Sequence, residues 1–161
     1  MSDLLVKLYA LPALEPAVEE LKKKGIEVKR PIGPEKLLVV EWVREKFGIH
    51  WASETDMCFS NKPISVFVAI DTLKENRIVG FACYDATVRG FFGPTGVDPS
   101  YRGLGVGTAL LLACLHDMYN VGYAYAIIGD AGPVEYYKKT VNAIEIPDSS
   151  PGIYRNMIRK V

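Results

Sequence analysis

The sequence predicts an α/β fold, α and β elements mixed, whose mostly antiparallel sheet is flanked by helices. Three observations predict it. The strand-like runs Ile64 to Ile70, Ile78 to Tyr84 and Phe91 to Val97 follow one another closely and read as an antiparallel meander. A glycine-rich turn then leads into a strongly apolar helix, Gly103 to Asn120. The apolar run Tyr123 to Ile128 comes next, at the spacing of a βαβ crossover.

Length and composition narrow the classes. A chain of 161 residues suits one ordinary domain, so residues 1–161 are expected to form a single unit that buries roughly two-thirds of its unfolded surface. Lysine plus arginine equals aspartate plus glutamate at 19 each, which leaves no basic field for nucleic acid or anionic lipid. Cys58, Cys83 and Cys114 lie far apart and odd in number, as suits a reduced compartment, and with only His50 and His116 to join them no metal site is expected. No stretch approaches the ~18 apolar residues of a membrane span, and the first residues lack a basic segment followed by an apolar run. The expectation is a soluble, cytoplasmic protein.

Taken in order, Val6 to Ala10 reads as a short strand, followed by a helix with Leu14, Val18 and Leu21 on one stripe and Gly25 at its end. Ile26 to Arg30 reads as a second strand. A helix from about Pro34 to Phe47 places Leu38, Val39, Trp42, Val43 and Phe47 on one side, with Gly48 as its stop. Ile49 to Pro63 mixes polar and aromatic residues without a period and reads as a loop, long enough to be functional. After the meander and the glycine turn, Tyr123 to Ile128 reads as a central strand covered on both faces, and Gly129 to Gly132 breaks it. A short helix, Val134 to Thr140, follows Pro133, and Ile153 to Lys160 reads as a last strand beyond the turn Asp148-Ser149-Ser150-Pro151-Gly152.

The most informative segment is Val97-Asp98-Pro99-Ser100-Tyr101-Arg102-Gly103-Leu104-Gly105-Val106-Gly107-Thr108. Glycines between a strand and a helix let a ligand approach the main chain, and unpaired N–H groups with a helix N-terminus favour a phosphate there. Arg102 adds a charge-assisted contact. No Gly-Lys-Ser or Gly-Lys-Thr follows, against a nucleoside-triphosphate loop, and the preceding meander argues against a dinucleotide fold.

With the buried helix, the strand Ala124 to Ile128 and the helical Tyr136-Tyr137-Lys138-Lys139, this turn resembles the GNAT family of acyl-CoA-dependent N-acyltransferases from roughly Ile64 onwards. The resemblance implies acetyl transfer from acetyl-CoA to a primary amine by direct attack in a ternary complex, without a metal. It implies that Phe92 to Val97, particularly Gly96 and Val97, face the pantetheine arm, in a sheet splayed near Val97 and Tyr125 so that CoA lies between the strands. It implies that Arg102, Gly103, Gly105, Val106, Gly107 and Thr108 hold the pyrophosphate. Tyr137, the second aromatic of its motif, matches the family's general acid near the thiol sulfur. The alternative reading is a non-enzymatic acyl-CoA-binding or sensing module. The acceptor is expected to be a small-molecule or peptide amine, and a homodimer through the C-terminal strand is a candidate assembly.

Such chemistry needs a polarised thioester carbonyl, a proton for the departing thiolate and an acceptor for the amine proton. A backbone N–H at Val97 or a neighbour suits the first role. A phenol with a free pKa near ~10 suits the second. Glu54, Asp56, Asp85 and His50 are candidates for the third; no spacing singles one out, and Glu54 is carried forward. Trp51-Ala52-Ser53-Glu54 is a candidate cap over the acceptor.

Overall fold

The computed structural model describes residues 1–161. Seven strands form one sheet in the order β2-β3-β4-β5-β6-β1-β7. They are β1 (Leu4–Lys7), β2 (Ile26–Lys29), β3 (Val66–Asp71), β4 (Arg77–Tyr84), β5 (Phe91–Val97), β6 (Tyr125–Ile128) and β7 (Ile144–Glu145). Every pairing is antiparallel except β5 with β6. The helices are α1 (Glu15–Lys22), α2 (Lys36–Phe47), α3 (Ile49–Cys58), α4 (Val106–Asn120) and α5 (Val134–Val141). None is long and apolar enough to cross a membrane.

Strand alternation builds two cores. Ala82 and Tyr84 of β4 join the larger, which gathers α1, α4 and α5; Phe81 and Cys83 join the smaller, beneath α2 and α3. Nine of the fifteen residues of α4 are buried, and fully covered Leu110, Leu111, Leu115 and Met118 each contribute roughly 1.5–3 kcal/mol by leaving water. Arg30, just after β2, pairs with Asp117 of α4 at 2.7 Å, and the Tyr84 hydroxyl donates to the same carboxylate at 2.6 Å. The helix that follows the glycine turn is thereby a fixed support.

The antiparallel meander and the β5–α4–β6 crossover are as expected. Five local expectations need correction. The first strand runs Leu4–Lys7 rather than Val6 to Ala10, and Leu8 to Ala10 form a 3₁₀ turn in which Leu8 enters the core and gives its N–H to the Ala124 carbonyl at the entrance to β6. Leu38 is not on the buried stripe of α2; it is 69% exposed, and Val39 and Val43 carry the contact. Ile49 to Pro63 is no loop: Gly48, with φ of 100°, ends α2, and α3 begins at once. The buried face of α3 is Ala52, Thr55 and Cys58, small residues that show no apolar period, and the Thr55 hydroxyl donates to the Trp51 carbonyl at 2.8 Å. Strand β6 is covered on one face only, through Ala126 and Ile128, while Tyr125 is half exposed.

The fifth concerns the C-terminus. No strand forms over Ile153 to Lys160, where a single 3₁₀ turn, Gly152–Tyr154, is followed by irregular chain with Met157 and Ile158 exposed. The outer strand is instead β7, which pairs Glu145 with Leu4 and Ile144 with Leu5. The strand to which a homodimer was tied is therefore not present.

Candidate active site

The glycine turn is held from below by its first residues. Asp98 accepts from the Ser100 N–H at 2.9 Å and the Ser100 hydroxyl at 2.7 Å, while Pro99 starts the 3₁₀ turn Pro99–Tyr101. These bonds, reinforced by the Lys46 ammonium 3.3 Å away, hold the Asp98 carboxyl below the usual carboxylate range. The Tyr101 hydroxyl donates to Asp71 of β3 at 2.6 Å. Sequence reading missed both anchors; Asp-Pro-Ser, with its Asx-turn propensity, was the available signal.

Beyond these anchors the chain turns its amides outward. Gly103 and Gly105 adopt φ of 79° and 91°, values a side chain disfavours, and Gly105 is the N-cap of α4. The N–H groups from Gly103 to Thr108 find no acceptor in the protein, and the first intrahelical donors begin after them. Arg102, exposed and without an ion pair, lies beside them. The cavity there, about 310 Å³, is lined by Arg102, Gly103, Gly105, Val106, Gly107 and Thr108, the same residues singled out from sequence. Donors without acceptors at a helix N-terminus are what a pyrophosphate requires, so these residues fit that group.

Strands β5 and β6 pair only at Phe91 with Ile127 and Phe92 with Ile128. Past Phe92 they diverge, leaving the edge of Gly93 to Val97 open while β4 covers the other side. The splay was expected near Val97 and Tyr125. It opens instead beyond the Phe92–Ile128 pair, since Tyr125 lies at the closed end beside β1. The Asp98 N–H donates to Val79 of β4, so by alternation the Val97 and Thr95 N–H groups face the open edge.

Three further cavities continue from the phosphate cradle. One of about 600 Å³ shares Val97, Arg102, Gly107 and Tyr136 with it and reaches Phe92, Thr95 and Tyr137. The next, about 460 Å³, shares Phe92, Thr95, Pro133 and Tyr137 and extends to Trp51 and Asp130. The last, about 200 Å³, is bounded by Trp51, Glu54, Thr87, Asp130 and Tyr154. A continuous groove thus runs from cradle to carboxylates, with Tyr137 near its middle.

The two tyrosines of α5 divide cleanly. Tyr136 is half exposed and its hydroxyl lies 2.7 Å from the Thr108 hydroxyl at the cradle. Tyr137 is buried, its ring edge-on to Tyr136 at 5.2 Å, and burial pushes its phenol up to about 12. The proton needed by a leaving group is retained across the physiological range.

Among the candidate bases, Glu54 alone lines the groove; the Thr87 hydroxyl donates to it. Asp56 pairs with Lys36 at 3.1 Å on the surface. Asp85 accepts from Tyr123 at 2.8 Å and from the Gly90 N–H at 2.7 Å, beside a different cavity. His50 is exposed outside the groove, and His116 bonds the Pro12 carbonyl at 2.8 Å. The three cysteines are buried free thiols that do not line it. Trp51 and Glu54 reach the groove from within a helix rather than from a capping loop. Thr95, inside the strand end expected to face the pantetheine arm, lines it too; Asp130 and Tyr154 complete it, and Tyr154 was assigned no place there from sequence.

Comparison with known proteins agrees with this architecture. The model of the acetyltransferase (GNAT) family matches residues 36–139. No curated protein sequence matches. Among solved structures, a GCN5-related glucosamine N-acetyltransferase region of a fungal multidomain GH3 β-N-acetylglucosaminidase superposes with a TM-score of 0.73 at 13% identity, over 90% of this chain and 19% of that one. A GCN5-related N-acetyltransferase from Sphaerobacter thermophilus gives 0.66 at 20% identity, over 90% and 48%. A GNAT family acetyltransferase from Brucella melitensis in complex with acetyl-CoA gives 0.51 at 17%, over 71% and 80%. The chain spans less than half the length of the first two, and at these identities the likeness is one of fold. The family match over residues 36–139, placed on a sheet that splays beside a glycine cradle, decides the matter: the chain belongs to the GNAT acetyltransferase family.

Proposed function

We propose that the protein transfers an acetyl group from acetyl-CoA to a primary amine by direct attack in a ternary complex. The observation that carries this reading is the continuous groove from the unpaired amides of Gly103 to Thr108, past Tyr137, to Glu54. The solved Brucella melitensis relative is a complex with acetyl-CoA, which supports the same co-substrate.

Acetyl-CoA supplies an activated acyl thioester. Arg102, Gly103, Gly105, Val106, Gly107 and Thr108 hold its pyrophosphate through main-chain N–H groups and one guanidinium. The open edge at Val97 offers main-chain pairing to the pantetheine arm, whereas Gly96, by the same alternation, turns its N–H and C=O toward Phe81 of β4. Val97 also borders the cradle, whereas Thr95 borders both middle cavities, so the Thr95 N–H is the better donor to the thioester carbonyl.

The neutral amine forms the new N–C bond as the C–S bond breaks. Tyr137 gives its phenolic proton to the departing sulfur, and Glu54 takes the proton the amine loses. Solvent then returns a proton to Tyr137 and removes one from Glu54, so that the net products are amide and free thiol. Titration calorimetry tests the donor half: acetyl-CoA is expected to bind in the micromolar range, and no heat at millimolar ligand would refute it. Thiol release with an amine panel tests the transfer itself.

A further inference from the structure

Resting on the transferase reading above, we propose that the acceptor is a short aliphatic diamine, whose remote ammonium is held at Asp130 while its reacting nitrogen meets Glu54. The argument begins with the charges. Glu54 and Asp130 border the same end of the groove, and no Lys, Arg or His side chain lines either acceptor-side cavity. A third carboxylate, Asp3, stands behind them: it is buried and accepts the Asp130 N–H at 2.8 Å. An acceptor carrying a carboxylate or phosphate of its own meets these carboxylates there, with the Met1 ammonium, already paired to Asp130 at 3.1 Å, as the one positive group on the lining.

The remaining surfaces suit a cationic, apolar-stemmed molecule. Trp51, Phe92 and Tyr154 line the terminal cavity with aromatic surface, which suits methylene groups and an ammonium. The terminal cavity, at about 200 Å³, admits a small amine and little more. Tyr154 enters from the 3₁₀ turn Gly152–Tyr154 and closes one side. Burial together with Asp3, Glu54 and Asp130 raises its phenol, which keeps that wall neutral.

The two carboxylates have separate tasks. Glu54 is engaged by the Thr87 hydroxyl inside the groove, where a neutral nitrogen must be produced. Asp130 sits at the rim, 53% exposed, and pairs with the Met1 ammonium at 3.1 Å. That pair is exposed on both sides, so an incoming ammonium exchanges with it at little cost.

Cadaverine, n-pentylamine and lysine form the test set: the same carbon stem with a second amine, without it, and with an added carboxylate. Rates of thiol release from acetyl-CoA are expected to give cadaverine a kcat/KM about tenfold above n-pentylamine, beyond the factor of about two from its second reactive end. Lysine falls below cadaverine, and Asp130→Asn removes most of the cadaverine preference. Equal turnover of all three, or a preference for lysine, overturns the diamine assignment and leaves N-acetyl transfer standing. If acetyl-CoA binds and no amine is turned over, the transfer reading fails. Calorimetry of cadaverine into the CoA-loaded protein then decides the chamber separately: binding lost in Asp130→Asn supports it, and no binding overturns it.

Discussion

The ring of Phe47 occupies the space that a side chain at Gly96 would need: a Cβ at position 96 would lie 2.5 Å from the Phe47 Cζ. That ring is itself hemmed in, with Trp51 at 5.3 Å, Phe81 at 5.5 Å and Trp42 at 5.7 Å between centroids. The last residue of α2 therefore presses on one face of the strand whose open edge is proposed to receive the pantetheine arm.

Gly96→Ala is expected to destabilise the protein by about 1–3 kcal/mol, because the ring has nowhere to go without disturbing its neighbours. For a chain of this size each kcal/mol lowers Tm by roughly 2–4 °C, which scanning calorimetry resolves. Acetyl-CoA affinity should fall with it as β5 shifts. Wild-type melting would show that Phe47 moves aside freely.

Tyr137→Phe should lower kcat about 10²-fold and leave acetyl-CoA affinity within about twofold. The phenol, raised to about 12 in the folded protein, binds its proton more tightly there than in the unfolded chain, where it titrates near 10. Its contribution to stability is complete below about pH 10 and is lost as pH rises through 12. The kcat profile of the native enzyme should accordingly show no alkaline fall from this group below about pH 10. Undiminished turnover in the Phe variant would remove Tyr137 from the mechanism.

Glu54→Gln should reduce kcat/KM at neutral pH about 10²-fold, with the deficit shrinking towards pH 10 as hydroxide ion takes over removal of the proton the attacking amine loses. Initial rates across that range provide the check. A deficit that stays constant with pH would mean Glu54 shapes the chamber without accepting the proton.

Asp98→Asn tests the turn beneath the cradle. The native carboxyl titrates below its unfolded value, so its stabilisation is present above about pH 4 and disappears as pH falls through the lower, folded value. At pH 7 the variant should be less stable by about 1 kcal/mol, the worth of an ordinary intramolecular hydrogen bond, and the gap should close in acid. Denaturant melts at pH 7 and pH 3 distinguish this from a deficit independent of pH.

What could be read from sequence divides along physical lines. The meander and α4 were legible because Ile78 to Tyr84 and Leu110 to Leu115 carry long apolar signals bounded by turn residues. The cradle was legible because glycines have local meaning. Helix α3 was not: its contact residues Ala52, Thr55 and Cys58 are too small to mark a face, and Gly48 concealed a fresh start. Ile153 and Ile158 misled in the opposite sense, since apolar residues beyond a turn signal need a partner strand before they mean burial, and both are exposed. Asp130 and Tyr154 could not be placed by any local rule, because only the tertiary fold carries them to the same cavity as Glu54.

The pairing of β1 with β6 sets Leu4 opposite Ile128. During synthesis, then, the first strand has no edge to join until roughly 120 further residues have emerged, a wait of about ten seconds at typical elongation rates. The walls of the groove mature on different clocks: β5 finds its partner in the adjacent hairpin with β4, whereas β6 depends on a segment made long before it. Loop-closure entropy makes that long-range union slow, so the groove should be among the last features of the nascent chain to take shape.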